Sequence, residues 1–200
     1  RQRQMCIRDS FVPVALLGTG TLCLVVPSNS SVNSLAEFLQ MAKTSTQGVN
    51  YASPGNGTTQ HLAMELLKFE ANLNLFHVPF KGSAGAVNDV AAGHVSAMIA
   101  PVHTVMPLVK VGKLKMLGVL SAERISQMPQ VPTFKELGLP KVQVDIWYAL
   151  MAPKGTPLQV VQSLNQEVNA VLKSPDVVAN LAKQGIDAGG GTSQRMSETL

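Results

Sequence analysis

Glycine and hydroxyl residues cluster in the stretch from residue 49 to 64, VNYASPGNGTTQHLAM, which reads as a buried strand, a turn and the start of a helix. Gly55 and Gly57 permit positive φ and a close backbone approach. Thr58 or Thr59 can cap the helix. A helix N-terminus presents N–H groups and the positive end of the helix dipole, so this turn is predicted to cradle a carboxylate or a phosphate.

Two further turns of this kind follow along the chain. Lys81-Gly82-Ser83 comes after the apolar segment 75–80, and Pro101 to Thr104 follows a predicted strand at 95–100. Ligands of open α/β sheets collect at the carboxyl ends of the strands, so the three turns are expected to face one crevice. None of them carries a Walker A sequence or a G-x-G-x-x-G fingerprint, which disfavours nucleotide binding.

Catalytic and metal-binding chemistry has weaker support. A nucleophilic triad could draw on Ser53, on His61 or His77, and on Asp89 or Asp145, but no serine lies in a G-x-S-x-G elbow. The four histidines show neither an H-E-x-x-H motif nor an i,i+4 pair. The sequence therefore predicts no hydrolase, no metal site and no cofactor.

Composition bounds the class of protein. The chain of 200 residues is 46% hydrophobic and 14% charged, which is typical of a soluble globular α/β protein. Its net charge of +4 comes from scattered Lys and Arg without a basic run, so a nucleic-acid partner is not expected and a small anion is. Cys23 lies in an apolar run and is interpreted as a buried thiol, while Cys6 lies near the N-terminus.

The predicted elements alternate between strand and helix from residue 34 onward, which implies a parallel or mixed sheet covered by helices on both faces. In the helix after the first turn, Leu62, Leu66 and Phe69 recur at helical spacing and are expected to face the core. A short helix is predicted at 134–137, and a helix is predicted at 105–110.

The N-terminal segment has two parts. Residues 1–10, RQRQMCIRDS, are polar and aperiodic, and are expected to be a non-native or disordered tail. Residues 11–26 are apolar but interrupted by Gly18-Thr19-Gly20-Thr21, too short for a spanning helix of roughly 20 residues and without a cleavage site after them. They are predicted to form two consecutive buried strands.

The order and spacing of these motifs resemble the periplasmic substrate-binding receptors of tripartite tricarboxylate transporters, also called Bug receptors. The resemblance covers nearly all of the chain from Phe11 to Leu200. The matching pieces are Asn50 to Gly57 with His61-Leu62-Ala63, His77 to Ser83, Gly112-Lys113-Leu114, Val131-Pro132-Thr133, and Ala152 to Pro157.

This resemblance implies an α/β fold of the type II periplasmic-binding-protein class. It implies one complete lobe at 27–143 and part of the other lobe at 11–26 and 144–200. The chain is then expected to be truncated at both ends, lacking a signal peptide and roughly 100 residues of the first lobe, more than half of a small domain.

The function implied by the resemblance is that of a periplasmic receptor. Such a receptor captures a small di- or tricarboxylic acid between closing lobes and delivers it to the membrane subunits of its transporter. It performs no chemistry on the ligand and is not itself inserted in the membrane. A ligand-sensing effector domain or an enzyme lobe of the same fold stays open as an alternative, although the chain has no helix-turn-helix that would favour a regulator.

The predicted ligand contacts come from the three turns. The third turn departs from the family, because Ile99-Ala100-Pro101 stands where aromatic and acidic or amide residues are often found. No carboxylate is placed there to meet an ammonium group, so an amino-acid ligand is disfavoured. The predicted contacts are Ser53, Gly55, Asn56, Gly57, Thr58, Thr59, His61, Lys81, Gly82, Ser83, Ala84, Pro101 and Val102.

The sequence makes one geometric prediction that a structure can check. If the three turns follow parallel strands of one sheet, Gly57 and Ser83 lie at the same edge of the lobe. Positions on opposite edges would contradict a shared binding crevice.

Overall fold

A computed structural model describes residues 10–199 of the chain. The predicted tail, apart from Ser10, and with it Cys6, lies outside the described residues. The strands are β1 (Phe11–Pro27), β2 (Val49–Ser53), β3 (Leu75–Pro79), β4 (Ala97–Pro101), β5 (Leu114–Val119), β6 (Asp145–Pro153) and β7 (Ile186–Ala188). The helices are α1 (Leu35–Thr44), α2 (Thr59–Ala71), α3 (Ser83–Ala91), α4 (Val102–Lys110), α5 (Leu158–Leu172), α6 (Pro175–Lys183) and α7 (Ser193–Thr199).

The chain divides into two compact units, whose boundaries fall within β1 and β6. The large unit comprises Thr21–Ile146, and the described part of the small unit comprises residues 10–20 with 147–199. Within residues 10–199, no helix has both the length and the apolar character needed to cross a membrane.

The large unit is built on a mixed sheet with the strand order β3-β2-β4-β1-β5. β2 runs parallel to β3 and β4, whereas β1 runs antiparallel to β4 and β5. Successive residues of β1 enter two different cores, Leu22 and Leu24 on one face and Cys23 and Val25 on the other. Helices α1 and α2 cover the first face and α3 and α4 the second, so the strands are buried on both sides as expected of an α/β sheet.

The buried face of α2 is not the one that the sequence suggested. Leu62 and Phe69 are 58% and 80% exposed, and Leu66 packs half-buried against the core, while Ala63, Met64 and Leu67 are buried. The two stripes are adjacent on the helix. The stripe with alanines faces the sheet, because a small side chain lets the helix axis approach the strands closely.

Two local predictions in the large and small units were also wrong. β1 is one continuous strand of 17 residues, where two were expected. Gly18 does not interrupt it, because the missing side chain admits the backbone of β7, whose Asp187 oxygen would lie 2.7 Å from a Cβ at that position. Residues 134–138 form turns in place of the predicted helix, held by reciprocal hydrogen bonds between Thr133 and Glu136.

The small unit packs α5 against the first part of β1 and β6. Its buried core contains Val14, Ala15, Ala152 and Val161. β7 pairs antiparallel with β1 over Gly18 to Gly20. Asn165 of α5 donates a hydrogen bond to the Val14 carbonyl at 2.7 Å, so this helix is attached to the strand by polar as well as apolar contacts.

The corrected core face of α2 can be tested with a matched pair of substitutions. Leu67→Ala removes a fully buried side chain and is expected to lower the free energy of unfolding by about 2–5 kcal/mol. Leu62→Ala changes the same residue type one turn earlier at an exposed position, and is expected to cost less than about 1 kcal/mol. Urea unfolding followed by circular dichroism measures both values. Equal losses would contradict the assignment of the core face.

Candidate functional site

The parallel pairing of β2 brings the first two predicted turns together. Tyr51 lies opposite His77 of β3 and opposite Ala97 of β4, so the carboxyl ends of the three strands share one edge. Beyond the strands, Phe80 N–H donates to the Ser53 carbonyl at 2.9 Å and Gly82 N–H donates to the Pro54 carbonyl at 3.0 Å. The predicted common edge is therefore confirmed, while contact of these residues with a ligand stays a prediction.

We call the turn from Ser53 to Thr58 the cradle. Its glycines are required by the backbone, because Gly55 and Gly57 have φ values of 144° and 76°. Thr58 is the N-cap of α2: its hydroxyl oxygen accepts from the His61 N–H at 3.4 Å and its hydroxyl donates to the Gly55 carbonyl at 2.8 Å. The cradle is thus a turn that is closed by its own side chains.

Several N–H groups of the cradle have acceptors within the protein, which corrects the expectation that they are exposed to a ligand. Gly55 N–H donates to Ser53 Oγ at 3.1 Å, and Gly57 N–H donates to His61 Nδ1 at 3.2 Å. Directly after the cradle, Thr59 and Gln60 are the first two residues of α2, and their N–H groups have no acceptor inside the helix.

A stack of three rings supports the cradle from the sheet. The ring of His77 lies 5.0 Å from that of Tyr51 and 4.1 Å from that of His61, measured between centroids. The Tyr51 hydroxyl donates to Glu65 Oε1 at 2.6 Å. Sequence reasoning missed Tyr51 and Glu65. Glu65 lies one helical turn after His61, on the helix that follows the strand of Tyr51, and this spacing could have suggested the contact.

Ser53 and His77 are close enough for a nucleophile and a base, with 2.6 Å between Ser53 Oγ and His77 Nε2. Ser53 is nevertheless completely buried, so no substrate can reach its hydroxyl. Asp89, one candidate for the third residue, lies 3.6 Å from His94 instead. The contact therefore serves to satisfy the buried Ser53 hydroxyl and the half-buried His77 ring beneath the cradle.

The turn after β3 offers a second helix N-terminus. Gly82, with φ 106°, is the N-cap of α3 and provides no side-chain acceptor, so the first N–H groups of α3, beginning with Ser83 and Ala84, have no partner within the helix. Lys81 is exposed beside them. A Cβ at Gly82 or at Gly57 would meet no atom within 4 Å, so both turns border open space.

The third predicted turn is absent. α4 begins at Val102, three residues earlier than expected, with Pro101 as its N-cap and with His103 and Thr104 in its first turn. The side chain of Val102 is fully buried among the residues that pack under α3 and α4. Both predicted contacts, Pro101 and Val102, are buried residues, so the structure does not present them to a ligand as expected.

Burial shifts the titration of several groups. Burial and, second, the charge of His61 lower the pKa of His77, although Glu65 opposes the shift. Burial also lowers the pKa of His103. The pKa of Tyr51 is raised by burial and by its hydrogen bond to Glu65, and burial raises the pKa of the Cys23 thiol, as expected for a buried cysteine.

Other parts of the described chain offer less to a ligand. In residues 10–199 no three His, Cys, Asp or Glu side chains are grouped so that they could hold a metal ion. A surface cavity of about 650 Å³ in the small unit is lined by Asn165, Asn169 and Lys173. The amide of Asn169 donates to Asn165 Oδ1, and both asparagines donate to the Gly191 carbonyl, so that cavity has few uncommitted polar groups.

Comparison with solved structures identifies the class of protein. A Rhodopseudomonas palustris protein, Rpa4515 with adipate, aligns with a TM-score of 0.89 and 31% identity over 95% of this chain and 64% of that one. MatC of the same species, with bound malate, aligns with a TM-score of 0.80 and 31% identity, over 89% and 60% of the two chains. The periplasmic binding protein BugD aligns with a TM-score of 0.86 and 26% identity, over 94% and 64%. The fold is that of periplasmic solute-binding proteins.

The chain belongs to the tripartite tricarboxylate transporter family of receptors, whose family profile matches residues 5–199. The match begins inside the segment that was expected to be a tail. A protein encoded between tcbD and tcbE in Pseudomonas sp. strain P51 is 41% identical over 189 residues, 94% of this chain and 56% of that protein. Protein BugT of Bordetella pertussis is 34% identical over 179 residues, 90% and 55% of the two chains. This chain therefore spans about half the length of these curated relatives, which belong to a family of binding proteins rather than enzymes.

The lowered pKa values predict how stability depends on pH. The unfolded chain takes up protons on His77 and His103 near pH 6.5, while the folded protein resists them, so the unfolded state binds more protons below this pH. This stability is fully present above pH 6.5 and is lost as the pH falls. The urea midpoint is expected to be lower at pH 5.5 than at pH 7.5, and His77→Gln is expected to flatten that dependence. His94→Gln, at a side chain that is 72% exposed, is the control. A profile that His77→Gln leaves unchanged would contradict this origin.

Proposed function

We propose that this chain forms the ligand-binding lobe of a periplasmic receptor that captures a small di- or tricarboxylate and delivers it to a tripartite transporter in the membrane. One observation carries the proposal. The N-termini of α2 and α3 begin at the same sheet edge, are joined by the hydrogen bond from Gly82 N–H to the Pro54 carbonyl, and face open space.

The electrostatics of this edge favour an anion. Two helix N-termini add the positive ends of their dipoles, and their first N–H groups have no acceptor within the helix. Lys81 adds an exposed positive charge between them. The turns at 53–59 and 80–84 contain no Asp or Glu, so a carboxylate meets no opposing charge from these residues and an ammonium group finds no partner among them.

The comparisons support the ligand class. Rpa4515 was solved with adipate and MatC with malate, and both are dicarboxylates. Because this chain covers less than two thirds of either structure, the second half of the site and the contact with the membrane subunits belong to the proposal for the full-length receptor. Residues that line this lobe are the ones that can be tested directly.

Hydroxyl groups at the two turns are expected to contribute to affinity. In the full-length receptor, Ser83→Ala should weaken adipate or malate binding by about 1–2 kcal/mol, the loss of a hydrogen bond to a charged acceptor. Thr58→Ala should weaken binding indirectly, because the Thr58 hydroxyl donates to the Gly55 carbonyl and holds the turn before α2 in shape. Isothermal titration calorimetry measures the change. Because Thr58 also caps α2, Thr58→Ser is included to restore the hydroxyl and thermal unfolding is followed in parallel.

Thr44→Ala provides the matched control for these variants. Its hydroxyl donates to the Gln40 carbonyl at 2.9 Å, the same kind of bond that Thr58 makes to Gly55, but at an exposed position of α1. It should leave carboxylate affinity unchanged. Unaltered affinity in both the Thr58→Ala and Ser83→Ala variants would count against the two turns as the binding site.

The contribution of Lys81 is expected to depend on salt. Lys81→Gln should weaken dicarboxylate binding more at about 10 mM than at about 500 mM ionic strength, because an exposed charge is screened over a shorter distance as salt rises. Lys110→Gln, at the last turn of α4, is the control for a general change in net charge. Equal losses for the two variants would show that only the net charge acts.

A further inference from the structure

The ring of His61 has a specific task in the cradle. Its Nδ1 accepts the N–H of Gly57 at 3.2 Å, so this nitrogen carries a lone pair and no proton in the structure. Protonation of Nδ1 converts it from an acceptor into a donor. The Gly57 N–H then loses its internal partner and becomes available to another acceptor, and the turn borders open space, since a Cβ at Gly57 would meet no atom within 4 Å.

The neighbouring ring directs the proton to His61. His77 lies 4.1 Å away between centroids, and two charged imidazoles at that distance repel, so at most one of the pair is charged. His77 is held neutral by burial, which lowers its pKa, and its Nε2 is engaged with Ser53 Oγ at 2.6 Å. His61, on the helix side of the pair, is the ring free to change charge.

Two other titratable groups, Glu65 and His77, lie near His61. Glu65 follows four residues later on α2, and its carboxylate accepts from the Tyr51 hydroxyl of β2 and lies 3.8 Å from Lys68 Nζ. His77 of β3 is the second titratable group, with its ring in contact with that of His61.

We propose that Gly57 and His61 form a protonation-dependent latch on the cradle. With His61 neutral, the latch is closed and the Gly57 N–H is used internally. With His61 protonated, the latch is open, and the cradle gains one main-chain donor and one positive charge. Resting on the proposed function, this means that a carboxylate binds more tightly to the protonated form and that its binding takes up a proton.

The latch itself can be tested without any ligand. Asn56-Gly57 is the single Asn-Gly step among the 200 residues, so ¹³C-carbonyl asparagine with ¹⁵N-glycine yields one amide signal, that of Gly57. We expect this amide proton to move upfield as the pH falls from 8.5 to 5.0, with the same midpoint as the His61 ring protons. A Gly57 signal that stays constant while His61 titrates would overturn the latch.

Two variants separate the latch from general effects of pH. In His61→Asn the amide oxygen stands near the position of Nδ1, accepts the Gly57 N–H and does not titrate, so the Gly57 signal should become independent of pH. In His94→Gln, which removes an exposed histidine beside Asp89, the titration should persist unchanged. Persistence in His61→Asn would overturn the proposal. Thermal unfolding at pH 8 verifies that each variant is folded.

The second measurement uses the full-length receptor, with adipate as the probe. Between pH 8 and pH 6 both of its carboxylates remain largely ionised, so a change in affinity reports on the protein. We expect Kd to fall roughly tenfold over this range, as for one added charge-assisted hydrogen bond, and to stay constant in His61→Asn. Calorimetry in buffers of different ionisation enthalpy should show uptake of up to about one proton on binding.

The two measurements fail in different ways. If Gly57 titrates with His61 but adipate, malate and citrate bind at no pH, the latch stands and the proposed function is wrong. If adipate binds with the same Kd at pH 6 and pH 8, the proposed function stands and the coupling of the latch to the ligand is overturned.

Discussion

The parallel register between β2 and β3 is the constraint on which the candidate site depends. It places Tyr51 directly opposite His77, and the pairing continues past the strands through the bonds from Phe80 to Ser53 and from Gly82 to Pro54. A slip of one residue would turn His77 to the other face of the sheet and would separate the two helix N-termini. The edge that we propose to bind an anion is thus a consequence of strand pairing rather than of the loops alone.

Polar groups beneath the cradle make that register more specific. The Tyr51 hydroxyl donates to Glu65 of α2, and Ser53 Oγ of β2 contacts His77 Nε2 of β3, a contact that the observed β2–β3 register permits. Leaving a buried polar group without its partner costs about 1–3 kcal/mol, so a displaced strand that loses the Ser53–His77 contact is disfavoured. The arrangement that resembles a catalytic serine and histidine is better explained by this structural role.

The same interactions limit how many donors the cradle can offer. Ser53 Oγ and His61 Nδ1 accept the N–H groups of Gly55 and Gly57. The donors that remain for the proposed anion are the N–H groups in the first turns of α2 and α3. A site built from helix N-termini and a single exposed lysine suits a ligand whose charge lies in carboxylates. A binding protein must release its ligand as well as capture it, and a site whose single charged side chain is an exposed lysine suits both steps.

Much of this protein followed from its sequence alone. Local residue types and their spacing predicted the alternation of strands and helices, the glycine turns after β2 and β3, and the cap at Thr58. They also carried the resemblance to the receptor family. Only the tertiary structure decided which stripe of α2 is buried, because Leu62 and Leu67 belong to two apolar stripes that local periodicity ranks alike. Only the tertiary structure showed that α4 starts at Val102 and that His61 accepts from Gly57, since burial on a sheet and the approach of a side chain to a folded turn are set by packing.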